Sequence, residues 1–181
     1  MLELDLERAC EEWNNFDKFL KKIPDACTED LHIHLNGPGG HVDEMVMYLD
    51  FFDRYAGNVT LTCEFEMNSA DSILFLFSNT KKELSPSATC MIHKSFNTYD
   101  CMEYRSKSHY NDFWLKIHAD FNEWLSAKFK LILDEEDFAF YETGEDLVLS
   151  GEKLRQVVTR AEKLFCNKRY VGISSEYSVQ Q

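Results

Sequence analysis

The sequence has little positive charge, few glycines and few prolines. Nineteen lysines and arginines stand against 32 acidic residues, which gives a formal net charge of −13. Because binding to a nucleic-acid backbone needs a basic surface, this balance argues against nucleic acid as a partner. Seven glycines and three prolines in 181 residues, with 44% hydrophobic residues, are typical of a globular chain and exclude fibrous and disordered classes.

Long hydrophobic runs and paired cysteines are also missing. No apolar stretch approaches the ~20 residues that cross a membrane, and the N-terminus lacks the cationic start and apolar core of a signal peptide. The six cysteines show no C-x-x-C spacing, so we interpret them as reduced core residues. These absences predict a cytoplasmic protein without a membrane partner, with one domain over residues 1–173 and a disordered tail at 174–181.

Hydrophobic periodicity predicts alternating helices and strands. We predict strands at 31–35, 59–63, 89–92 and 147–149, an extended link at 84–86, and helices at 6–23, 42–52, 69–78, 99–134, 136–141 and 152–165. Strand, glycine turn, helix and strand in succession form a right-handed parallel crossover, and ligands bind beyond the carboxyl ends of such strands. The helix at 99–134 is longer than one small core needs, so part of it is expected to pack against another subunit.

Three segments at strand ends carry the residue types that acyl transfer from a serine requires. The turn Asn36-Gly-Pro-Gly-Gly follows one strand, Ser69 opens an apolar helix, and His93 follows another strand. Such a reaction needs a nucleophile, a base, an orienting acid and backbone donors for the oxyanion. Each segment also has an ordinary structural explanation, because serine caps helices well, histidine packs in cores and glycine permits tight turns.

Taken together, the three segments resemble ClpP, the proteolytic subunit of Clp protease, and the ClpP-like head-maturation proteases of phages. Asn36-Gly-Pro-Gly-Gly is similar to the Asn-Ser-Pro-Gly-Gly turn of ClpP. Asn68-Ser-Ala-Asp-Ser resembles the Ala-Ser-Ala-Ala-Ser elbow of the phage relatives, and Met91-Ile-His matches the segment that bears the catalytic histidine in both. Gly40 and Ser69 are 29 residues apart, and Ser69 and His93 are 24 apart, which is close to the family spacing.

The resemblance implies a fold and a catalytic triad. The fold would be α/β, the ClpP/crotonase-like spiral of strand-strand-helix units with a long protruding helix. Ser69 would be the nucleophile, His93 the general base and Glu142 the acid that orients it. Asp146, four residues further on, is the alternative for the third position. A glutamate is one methylene longer than the aspartate usual in the family.

The same segments suggest where the oxyanion and the substrate would lie. The backbone amides of Gly40 and of Ala70, the residue after the nucleophile, could form the oxyanion hole. A peptide substrate would lie as an added strand beside residues 40–42 and 94–97. The substrate-binding residues on these segments would be His41, Val42, Lys94, Ser95 and Phe96.

The function implied by the resemblance is that of a serine endopeptidase that cleaves peptides or unfolded proteins. It would act without a cofactor inside a homo-oligomeric ring, a heptamer or stacked rings, in a bacterial host or a phage-infected cell. Two departures from the family matter. The bulky residues at 65–68 suggest a reshaped elbow or an idle site. The chain begins almost at its first predicted helix, without most of the family's N-terminal strand and axial loop, so docking to an ATPase unfoldase is doubtful.

Several alternatives compete with this interpretation. Ser72 is a second serine of the elbow, but it would lie one turn into the helix. A metal site at His32, His34 and His41 has no carboxylate or cysteine at ligand spacing, so we predict no metal. A catalytically idle structural or regulatory subunit would keep the fold without the activity. A crotonase-like acyl-CoA enzyme would use the glycine turn without needing both Ser69 and His93.

Overall fold

The computed structural model describes residues 1–25, 27–95 and 109–166, with the backbone alone for 109–115. The strands are β1 Leu2–Glu7, β2 Leu31–Asn36, β3 Val59–Cys63, β4 Glu66–Asn68, β5 Lys81–Leu84, β6 Thr89–Ile92 and β7 Leu147–Ser150. The helices are α1 Asn15–Leu20, α2 Val42–Arg54, α3 Ser69–Phe77, α4 His109–Ile132, α5 Glu135–Glu142 and α6 Gly151–Phe165. Helices and strands are interspersed along the chain, and the predicted α/β class is confirmed.

The described residues form two sheets. The first has four parallel strands in the order β1-β2-β3-β5, and the second has three strands in the order β4-β6-β7. Strands β4 and β6 are parallel, whereas β7 runs antiparallel to β6. A parallel bridge between Gly37 and Met67 joins the end of β2 to β4. The glycine turn after β2 is thereby brought beside the strand that leads to Ser69.

Helix α3 lies at the centre of the core. All of its residues from Ala70 to Phe77 are buried, as the almost uninterrupted apolar sequence predicts. It packs against α2 on one side and α6 on the other. Helix α6 is amphipathic and contributes Leu154, Val157, Val158 and Ala161 to the same core. Because a truncation to alanine in such a core costs about 2–5 kcal/mol, the position of α3 is firmly held.

The N-terminal prediction was wrong. Residues 2–7 form strand β1, and the helix that follows covers only Asn15–Leu20 rather than 6–23. Leucines at 2, 4 and 6 alternate with acidic residues, which is the period of a strand. Parallel pairing of β1 with the whole length of β2 provides hydrogen-bond partners for the backbone of this segment. The segment is therefore a strand, although helical spacing of apolar residues continues after it. The first described element is thus a strand and not the predicted helix.

The remaining predictions agree better with the structure. Strands at 31–36, 59–63, 89–92 and 147–150 and helices at 42–54, 69–77, 135–142 and 151–165 are confirmed within a few residues. Two short strands were missed, β4 and β5, the second lying partly where an extended link was predicted. Of the long helix predicted at 99–134, the structure describes 109–132, and the predicted tail at 174–181 lies outside the described residues.

Helix α4 is exposed along part of its length and buried near its end. Leu125, Phe129 and Ile132 are buried in the core, whereas Ile117 is 39% exposed and Trp124 is 38% exposed. The five described cysteines are free. Cys10, Cys63 and Cys90 are buried as predicted, whereas Cys27 and Cys166 are only half-buried, so the prediction of core positions is wrong for these two. Among the helices of the described residues, none is long and apolar enough to cross a membrane.

Candidate active site

Ser69 lies on a sharp turn between a strand and a helix. It follows β4 directly, opens α3, and has φ of 51°, in the left-handed region that residues other than glycine seldom adopt. Such a conformation costs on the order of 1–2 kcal/mol and persists only when the surroundings impose it. The buried helix on one side and the paired strand on the other impose it here. A serine on a strained strand-to-helix turn is the arrangement of a nucleophile elbow.

His93 reaches Ser69 because their strands are neighbours. Asn68 at the end of β4 is the register partner of Met91 in β6, so both strands deliver the residues that follow them to the same edge. The His93 Nε2 atom lies 2.7 Å from Ser69 Oγ. This distance is within the range over which a base can take the proton of a hydroxyl. The two residues, which are 24 positions apart in the sequence, are thus in direct contact.

The other ring nitrogen of His93 faces the backbone. Nδ1 lies 2.8 Å from the carbonyl oxygen of Lys94. A carbonyl oxygen can only accept, so this contact holds the proton on Nδ1 and leaves Nε2 as an acceptor toward Ser69. The tautomer needed by a general base is therefore set by the chain's own backbone next to the histidine.

The carboxylate of Glu142 is held by other groups. Lys94 Nζ lies 3.2 Å from Glu142 Oε2 and 3.2 Å from the Glu142 carbonyl oxygen. A hydrogen bond from Ser126 and the nearby Lys94 ammonium lower the pKa of the Glu142 carboxyl. Glu142 is thus close to the site but is paired with the residue after His93. The alternative acid, Asp146, lies in the exposed loop between α5 and β7.

The glycine turn packs directly against the elbow. Gly39 has φ of 90° and Gly40 has φ of 139°, and a Cβ atom on Gly39 would lie 2.6 Å from Ser69 Cβ. The Gly39 amide donates to Asp71 and the His41 amide donates to the carbonyl of Cys10. Between them, the Gly40 amide has no acceptor among the described residues. In the first turn of α3 the backbone amides, including that of Ala70, have no partner within the helix.

Asp71 is a functional candidate that sequence reasoning missed. It is fully buried, and its carboxylate accepts from the Gly39 amide at 3.0 Å and from the Cys10 amide at 3.2 Å. Burial raises the pKa of the Asp71 carboxyl, and these hydrogen bonds oppose the rise. One side chain therefore connects the nucleophile helix, the glycine turn and the segment after β1. The available signal was an acidic residue inside an otherwise apolar helix.

Ser72 has a structural contact within the helix. Its Oγ donates to the carbonyl oxygen of Ser69 at 2.6 Å, one turn earlier in α3. A hydroxyl that is used in this way has a common role at helix N-termini. The base, His93, contacts the hydroxyl of Ser69.

The predicted substrate-binding residues are divided. The His41 ring packs on Trp13 with ring centroids 4.2 Å apart, and Val42 is the first residue of α2. The Ser95 amide donates to Asn122 Oδ1 at 2.7 Å, and Asn122 Nδ2 donates to the Ser95 carbonyl oxygen at 2.9 Å. Backbone groups that an added strand would use are therefore occupied by a side chain of α4. Lys94 is engaged with Glu142, and Phe96 lies outside the described residues.

Comparison with known proteins agrees with this arrangement. The family model described as Clp protease matches residues 20–128 of the chain. A solved structure of a ClpP1 mutant from Listeria monocytogenes is similar in fold, with a TM-score of 0.59, 16% identity, and coverage of 91% of this chain and 87% of that one. No curated protein matched. The likeness confirms the predicted ClpP-like fold, and the chain belongs to the Clp protease family.

Proposed function

We propose that this chain is a serine endopeptidase of the ClpP type, with Ser69 as nucleophile and His93 as general base. The observation that supports this most is the 2.7 Å contact between Ser69 Oγ and His93 Nε2 on a left-handed elbow. Membership of a family of serine peptidases supports it further. A histidine buried only for packing would not require the strained φ at Ser69.

The proposed reaction follows the acyl-transfer scheme. Ser69 Oγ attacks the peptide carbonyl while His93 Nε2 takes the hydroxyl proton, and the tetrahedral oxyanion is held by the amides of Gly40 and Ala70. His93 then gives the proton to the leaving amine as the acyl-serine forms. Water attacks that ester with His93 again as the base. Each oxyanion donor is worth about 100–1,000-fold in rate.

In this proposal two groups share the role of the third triad residue, the Lys94 carbonyl and the Glu142 carboxylate. The Lys94 carbonyl accepts a hydrogen bond from His93 Nδ1 and so orients the ring. The Glu142 carboxylate, which is paired with the Lys94 ammonium, supplies the negative charge. Because the Lys94 ammonium offsets the charge of Glu142, this carboxylate stabilises the imidazolium less than a free one would. Asp146 is the second candidate for this acid. We expect Lys94→Met, which removes the ammonium from Glu142 but leaves the hydrogen bond from Ser126, to increase activity.

A homo-oligomeric ring is the second part of the proposal. The Clp protease family generally forms oligomeric rings and handles peptide substrates. Large apolar side chains are exposed on two helices of this chain, with Val46 at 50% and Met47 at 38% on α2, and Ile117 at 39% on α4. Association would cover them. A single species at monomer mass, measured by mass photometry across micromolar concentrations, would contradict the ring.

The test of the activity is labelling by a fluorophosphonate, read by intact mass. We expect one adduct on the wild-type chain and none on Ser69→Ala or His93→Ala. Ser72→Ala is the matched control and should label like the wild type, since its hydroxyl is committed to the Ser69 carbonyl. Absence of an adduct from a folded and oligomeric wild-type sample would overturn the proposal.

A catalytically idle subunit is the second candidate function. The pairing of Glu142 with Lys94 favours it, because a carboxylate that is held by a lysine is less available to the base. The two candidates differ in one result. If the subunit is idle, neither the wild type nor Lys94→Met is labelled, although both are folded.

A further inference from the structure

The outer face of the four-stranded sheet carries a cluster of histidines and acids. In the parallel register Glu3 lies opposite His32, Asp5 opposite His34, and His34 opposite Thr62. Side chains at alternate positions share a face, so these polar residues stand together while Leu4, Ile33 and Leu61 point into the core. Strand β1, which the sequence analysis missed, is the strand that supplies the carboxylate.

The members of the cluster lie close enough together to share a ligand. His34 Nε2 lies 3.1 Å from Glu3 Oε1, and one ligand atom from each of Glu3, His32 and His34 lies within 4.8 Å of the others. The two imidazole rings have centroids 4.8 Å apart. His41, the third histidine considered from the sequence, packs on Trp13 and is not part of this cluster.

These separations suit a zinc ion after a small adjustment. With bonds of about 2.1 Å, a tetrahedral zinc holds its ligand atoms roughly 3.4 Å apart. The contact between His34 and Glu3 is already close to that value. The wider separation can close by rotation of side chains such as that of Glu3, which is 68% exposed.

A second layer of groups orients the histidines. His34 Nδ1 lies 3.3 Å from Glu64 Oε1, and His32 Nε2 lies 2.8 Å from Thr62 Oγ1. Histidines that bind metals commonly donate their other ring N–H to a carboxylate, which fixes the tautomer and raises ligand basicity. Glu64 is placed to do this for His34. It leaves Nε2 facing Glu3, where the ion would lie.

The charge of this face also favours a cation. Glu3 and Asp5 from β1 and Glu64 after β3 lie around His34, so three carboxylates face this position. His32 is its neighbour on the same strand.

We propose that Glu3, His32 and His34 bind a Zn²⁺ ion on the outer face of the four-stranded sheet, with water completing the coordination. The ion would cross-link β1 to β2 far from Ser69 in the chain and independently of the proposed peptidase chemistry. Carboxylate and imidazole are ligands that zinc accepts, and two or three protein ligands leave positions for solvent.

The test is equilibrium dialysis of the untagged, full-length chain against micromolar Zn²⁺, with bound metal measured by mass spectrometry of the element. We expect one zinc per chain at pH 7.5. His32→Ala and His34→Ala should lose it, and Glu3→Gln should weaken binding at least ten-fold. Glu7→Gln, on the same exposed edge of β1, and His118→Ala, on α4, are matched controls that should bind like the wild type.

Binding that persists in both histidine variants would overturn the proposal, as would a wild-type chain that binds no zinc. Substitution by Co²⁺ tests the ligands directly. A thiolate-to-cobalt charge-transfer band would assign the metal to cysteine and would also overturn it. Melting curves recorded without metal should differ by no more than a few degrees between the wild type and the variants, which excludes unfolding as the reason for lost binding.

Discussion

The edge at Ser69 and the outer face at His34 are two clusters of titratable groups that are built differently. At the edge, positions are set by the backbone, with positive φ at three residues and a buried carboxylate bonded to main-chain amides. On the outer face, exposed side chains meet only because neighbouring strands hold them in register. Changes at the edge should therefore alter both folding and chemistry, whereas changes on the face should leave the fold nearly intact.

The largest effect is expected at Asp71. Asp71→Ala removes the acceptor of two buried amides, each left unsatisfied at a cost of about 1–3 kcal/mol. The glycine turn should loosen with it, so the rate of fluorophosphonate labelling should fall too. Urea unfolding and labelling kinetics measure the two effects. Asp71→Asn keeps the shape and one acceptor, and it should recover part of both.

The same residue predicts a pH dependence. Because burial raises the pKa of the folded Asp71 carboxyl above its unfolded value, the folded state binds this proton more tightly. The contribution of Asp71 to the free energy of unfolding therefore decreases as the pH rises through that window. Asp71→Asn should remove this component from a stability profile measured between pH 4 and 8. An unchanged profile would contradict the assignment.

The next largest effect is expected at Gly40. A Cβ atom there would overlap the carbonyl of Cys10 and lie 2.7 Å from Glu11 Cα, so Gly40→Ala must displace the turn. Loss of an oxyanion donor should slow labelling by about 100–1,000-fold. Gly144→Ala is the matched control, because Gly144 also has positive φ, 87°, but nothing lies near the added methyl. Equal labelling rates for the two variants would contradict the role of the Gly40 amide as an oxyanion donor.

A smaller effect is expected at Lys82, a buried cation on the inner side of β5. Its Nζ donates to the carbonyls of Ser78 and Thr80, and burial lowers the pKa of Lys82 to about 8. The unfolded state binds more protons between about pH 8 and the ordinary pKa of lysine, so stability should rise with pH there, by on the order of 2 kcal/mol. Lys82→Met should abolish the rise, and the exposed Lys81→Met should retain it, as measured by urea unfolding.

The smallest effect is expected on the outer face without metal. The raised pKa of His34 gives stability that is present at low pH and lost as the pH rises through that pKa. Because the Glu3 side chain is 68% exposed, Glu3→Gln should lower the free energy of unfolding by no more than about 1 kcal/mol at pH 5.5. The loss at pH 8 should be smaller than the loss at pH 5.5. A loss as large as that of Asp71→Ala would remove the distinction between the two clusters.

Sequence reasoning succeeded where a few consecutive residues determine the local backbone conformation. The glycine turn, the buried helix after Ser69 and the strand before His93 are each visible in a few consecutive residues, and the structure has all three. It failed at β1. The alternating leucines of this strand run into a segment with helical spacing, and pairing with β2 makes residues 2–7 a strand. It also placed Glu142 by register alone, although Lys94 competes for that carboxylate.

The amino-acid sequence by itself determined the order of elements and the residues at the strand ends, because periodicity and glycine act over short stretches of chain. Only the tertiary structure decided which side chains meet. Asp71 reaches Cys10 across 61 residues, and Glu3 meets His34 across 31. Such contacts depend on strand register and on competition between ion pairs of similar energy. Neither the register nor the outcome of this competition can be inferred from a local sequence pattern.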